Sequence, residues 1–134
     1  MRTRLSIWLL SILVMMFAAS GGIAATPLPA QSSSQAGVSI EVTPRVLTAA
    51  IWEFDAVFNT HSGALTDDLE KSTVLVSNGR TSHSPVKWQG DPPGGHHRKG
   101  VLQFKAVSPM PASIELQIKR SGEPAPRSFR WQLK

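Results

Sequence analysis

Residues 51–60 read IWEFDAVFNT, with Trp52, Phe54, Ala56 and Phe58 alternating with Glu53, Asp55, Val57 and Asn59. A period of two sends all four apolar side chains to one face of an extended strand, whereas a helix would scatter the same aromatics around its circumference. The stretch predicts a β-strand with one buried face, and such a strand needs a second apolar layer to cover it.

The alternation recurs along the chain. Val38, Ile40 and Val42 carry it first, with Pro44 marking a strand end or an edge bulge. It returns in residues 73–77, then at Leu102, Phe104 and Ala106, at Ile114, Leu116 and Ile118, and at Phe129, Trp131 and Leu133. Asn78-Gly79 favours a two-residue hairpin turn, so residues 80–88 are expected to return antiparallel to 73–77, with Pro85 making that return irregular or placing it at an edge. Within 63–72, Thr66 is expected to cap a single helical turn, with Asp67, Asp68 and Glu70 near its positive end. Pro109-Met110-Pro111 and residues 121–126, SGEPAP, read as loops. About seven short strands without a long helical pattern predict an all-β antiparallel β-sandwich, immunoglobulin-like or cupredoxin-like. Its core should hold Trp52, Trp131, Phe54, Phe58, Phe104, Leu116, Ile118 and Phe129.

The N-terminus is set apart from that fold. Arg2 and Arg4 precede an uncharged apolar run, and small residues follow it, the pattern of a secretory signal peptide over residues 1–25 with a cut after Ala24 or Ala25. The competing reading is an uncleaved anchor, the one way this sequence would hold to a membrane. Residues 26–37, TPLPAQSSSQAG, are expected to form a flexible linker, leaving 38–134 as the sandwich domain. With no cysteine, no lipid-anchored lipoprotein forms and no disulfide staples the fold, so a packed core must stabilise it. Removing Arg2 and Arg4 lowers the formal charge from +5 to +3, and the remaining basic residues are spread along the chain, against a nucleic-acid partner. The expectation is a monomer, periplasmic or secreted.

Residues 90–104, GDPPGGHHRKGVLQF, are the densest in special chemistry. Prolines and glycines bend the loop, and His96 and His97 stand at its end. Copper and zinc sites on sandwiches use imidazoles from loops at one end, so His61, His96 and His97 are candidate ligands, with His83, Asp67, Asp68 and Met110 as further donors. A shared ion requires His61 and the histidine pair to converge. Without cysteine, a blue-copper centre is excluded. The loop could alternatively take an anion or a partner's carboxylate on the N–H groups of Gly94 and Gly95, with Arg98 and Lys99 adding charge. The plainest reading makes the histidines structural, one bonded to loop groups and one stacked on Trp88. No catalytic residue is assigned, since no nucleophile-elbow pattern occurs.

Trp52-x-Phe54, Thr60-His61-Ser62, Trp88, Gly94-Gly95-His96-His97-Arg98, Gly100-Val101-Leu102 and Phe129-x-Trp131 together resemble a group of small exported bacterial β-sandwich domains without an assigned activity. The resemblance implies export and a sandwich and implies no reaction. The expected function is a non-catalytic binding or interaction module of the cell envelope, its partner an envelope protein or a small ligand. The alternative is a periplasmic copper- or zinc-binding protein.

Overall fold

The computed structural model describes residues 27–134; the signal-peptide reading falls on residues outside these. Alternating sequence becomes nine strands: β1 (Gln31–Gln35), β2 (Val38–Leu47), β3 (Ile51–Thr60), β4 (Thr73–Ser77), β5 (Thr81–His83), β6 (Lys87–Gly90), β7 (His97–Lys105), β8 (Ser113–Ile118) and β9 (Arg127–Gln132). One helical turn, α1 (Leu69–Ser72), lies between β3 and β4. Five strands form one sheet in the order β1-β2-β3-β7-β6, four form the other in the order β5-β4-β8-β9, and every pairing is antiparallel. The fold is an all-β sandwich. Of the two expected types, β2-β3-β7-β6 facing β5-β4-β8-β9 follows the immunoglobulin order, in which strands A-B-E-D face C′-C-F-G.

The buried face of β3 is the expected one: Trp52, Phe54, Ala56 and Phe58 are enclosed. Phe54 meets Phe104 edge-on at 5.7 Å across the β3–β7 pair, and Trp131 from the other sheet at 5.9 Å. All eight residues assigned to the core from the sequence lie in it.

Three expectations are corrected. Residues 26–37 are not a flexible linker throughout, because 31–35 pair with 38–42 as an edge strand. The two residues of the turn, Ala36 and Gly37, both have positive φ (50° and 73°), which matches the twist of a tight hairpin. Polar contacts order this strand: Arg127 donates to the carbonyls of Ser33, Gln35 and Val38, and the Trp131 indole donates to Pro29. Next, the return after Asn78-Gly79 is not one strand. It pairs with β4 only over β5, then crosses past Pro85 to the opposite sheet as β6. Thirdly, the cap of α1 is Asp68, whose carboxylate accepts from the N–H groups of Glu70 and Lys71, and Thr66 is exposed. Of the two readings of Pro44 the bulge is the one found: β2 runs on to Leu47, with the register slipping between Pro44 and Val46 because proline has no N–H for the ladder.

Candidate functional site

The loop joining β6 to β7 is bound by main-chain hydrogen bonds to the segment after β3. Thr60 N–H donates to the His96 carbonyl, Leu65 N–H to Gly95, and Gly94 N–H to Leu65. Leu65, buried between them, seals the loop against the core. Positive φ at Gly94 (122°) and Gly95 (70°) gives the bend that the glycine pair predicted.

Behind the loop sits a unit built from Trp88, Gly90, Arg98 and Gly100. Gly90 faces Gly100 across the β6–β7 pair. A Cβ on Gly100 would stand 2.7 Å from the Gln89 carbonyl oxygen, from Gly90 Cα and from Trp88 Cζ2, so only glycine allows the indole to lie there. The Trp88 ring meets Phe58 edge-on, and its Nε1 donates to the Asp91 carbonyl at 2.9 Å. Arg98, 3% exposed, has its guanidinium 5.4 Å from the Trp88 ring centre. Its Nε donates to Asp91 O at 3.1 Å and its Nη1 to Asp67 O at 2.6 Å. Burial pulls its pKa below the usual arginine value, and the charges of Asp67, Asp68 and Asp91 oppose that pull.

Of the loop expected to take an anion, Gly94, Gly95, Arg98 and Lys99, two members are engaged within the fold. The Gly94 N–H already has an acceptor, and Arg98 is enclosed by carbonyls beneath an indole. Lys99 stays exposed, but its main-chain N–H is held by the Asp91 carboxylate at 2.9 Å. The residue stacked on Trp88 is Arg98, where a histidine was expected.

His61, His96 and His97 are all exposed and come from the same end of the β3–β7 pair. His97 sits opposite Asn59 on the outer face, with Nδ1 2.5 Å from Asn59 Oδ1. His61 lines a shallow hollow with Asn59, Ser34, Gln35 and Ser39. Among the described residues, no three His, Cys, Asp or Glu side chains gather as metal ligands, so His61, His96 and His97 do not make a three-ligand site. His97 opens β7 on its outer face, His96 lies in the bend before it, and no further ligand among the described residues joins them. His83 takes another structural part, with Nε2 3.0 Å from the buried Ser77 hydroxyl, tying β5 to β4.

Sequence reasoning missed a groove at the opposite end of the sandwich. It measures about 460 Å³ and is lined by Pro27, Leu28, Pro44, Arg45, Leu47, Met110 and Leu133. Met110, 41% exposed, stands at its edge. The signal was present in Pro109-Met110-Pro111, a loop whose central residue is apolar and rigidly presented. Comparisons with protein-family models, curated proteins and solved structures find no match for this chain.

Proposed function

We propose that this chain is an exported, non-catalytic binding module of the cell envelope that engages its partner through the groove of Leu28, Leu47, Met110 and Leu133. The carrying observation is the groove itself: an apolar hollow with Met110 at its rim, one of two large apolar residues exposed among the described residues, the other being Val86. The polar loop supports the same reading from the other side, since its arginine, aspartate and glycine groups are engaged within the fold. A photo-crosslinking residue placed at Met110 in the native host should form adducts, while one at the exposed Lys71 of α1 should not. Equal labelling at both positions, or none at Met110, refutes the groove as the binding surface.

A second reading keeps copper or zinc at His97 and His61, favoured by the His97 Nδ1 contact to Asn59. With Nδ1 bound to an amide oxygen, the Nε2 lone pair points outward, the orientation of a metal-ligating imidazole. Two imidazoles leave the shell to be completed by water or by another molecule. Titration of untagged protein with copper or zinc decides it: uptake at micromolar concentration that His97→Ala removes supports the metal reading, and no uptake ends it.

A further inference from the structure

We infer that the groove end of the sandwich docks on a bilayer surface carrying anionic phospholipid. The inference rests on the binding reading above and names the partner of that same groove. The two ends of the molecule differ in charge. Residues 44–51, 78–81, 105–113 and 131–134, at the groove end, contain Arg45, Arg80, Lys105 and Lys134 and no Asp or Glu, and the nearest acids, Glu53 and Asp55, lie on β3 level with Val46 and Arg45. The opposite end, residues 60–73, 90–98 and 118–127, holds Asp67, Asp68, Glu70, Asp91 and Glu123 together with Lys71, Arg98, Lys119, Arg120 and Arg127, so its charges balance.

Arg45 reaches Asp55 on the outer face of the five-stranded sheet at 3.7 Å. Arg80, Lys105 and Lys134 are exposed and take part in none of the ion pairs among the described residues. The same end carries Met110, 41% exposed, and the half-buried Leu28, Leu47 and Leu133, with Arg45 among the residues that line their groove. Apolar side chains on an end that also carries Lys and Arg suit the boundary between headgroups and acyl chains, where each cation near an anionic surface strengthens binding about fivefold.

The path of the chain selects lipid over a protein partner. Pro27, the first described residue, lines the groove, and the uncharged run of residues 5–25 lies just upstream of it. A run of this kind enters the bilayer during export, before the cut after Ala24 or Ala25, and brings this end of the sandwich to the lipid.

Residues 27–134 contain both sheets and the whole described core, so this piece is suitable for the test once its circular dichroism shows a folded sandwich. It is sedimented with vesicles of phosphatidylcholine alone and of phosphatidylcholine with about one third phosphatidylglycerol. The expected result is binding to the anionic vesicles only, weakened by salt. Lys105→Ala should lower it about fivefold, Met110→Asp should abolish it, and Lys71→Ala at the other end should leave it unchanged. Equal binding to both vesicles, or binding to neither, overturns the lipid proposal. The broader binding reading fails separately, through absent crosslinks from Met110 in the host. Protein adducts from Met110 together with no vesicle binding would retain the module and reject lipid as its partner.

Discussion

Arg98 and Arg127 are both enclosed in the sandwich, and main-chain carbonyls hold each of them. Arg127 also grips Glu123, with Nε 2.8 Å from Oε1 and side-chain exposures of 0% and 4%. The hydrogen bonds from Arg127 hold the Glu123 carboxyl below its ordinary pKa, outweighing the burial that would raise it. A carboxyl lowered in the folded state contributes stability that is fully present above its unfolded pKa, about 4.3. That stability is lost as the pH falls through the lower folded value. The domain should therefore melt at lower temperature as the pH drops below about 4. Glu123→Gln should cost roughly 3–5 kcal/mol at neutral pH by leaving a buried guanidinium without its counter-charge, and its melting temperature should vary less with acid than the parent's. A variant as stable as the parent at neutral pH would show that the pair is not buried as described. Neither arginine's role was legible in the sequence. Arg98 bonds to Asp67, thirty-one positions away, and Arg127 to Ser33, ninety-four away. No local pattern distinguishes such a residue from a solvated one.

Strands were legible wherever one face is apolar, because the period of two and the burial report the same fact. β3, β7, β8 and β9 all appear where alternation placed them. β1 did not, since QSSSQ has no apolar face and owes its order to the tight turn and to Arg127. The split of β5 from β6 was also hidden, because sequence spacing does not show which sheet a strand will join. The β6–β7 pair makes its own test possible. Gly100→Ala would put a methyl group against the Gln89 carbonyl, Gly90 and the Trp88 ring, an overpacking of roughly 1–3 kcal/mol. Trp88 should then move out from its place beside Arg98, with a red-shifted tryptophan emission and a lowered melting temperature. An unchanged emission and melt would mean that Trp88 does not lie over the glycine pair.

At the scale of the whole molecule, the sandwich has two unlike ends. One is closed by the loop of residues 90–98, where Arg98 and Trp88 knit the chain together and the histidines face outward. The other presents an apolar groove lined by Pro27, Leu28, Leu47, Met110 and Leu133, with Arg45 beside them. The sequence drew attention to the first end because histidine, glycine and proline are conspicuous, while the groove is assembled from four separate segments that only the fold brings together. The central claim is that recognition belongs to the groove end. Hydrogen exchange of residues 27–134, with and without phosphatidylglycerol-containing vesicles, reads both ends in one experiment. The account predicts slower exchange on binding in residues 44–51, 105–113 and 131–134, with residues 94–98 unchanged. Protection at 94–98 with none around Met110 would contradict it and move recognition to the histidine loop.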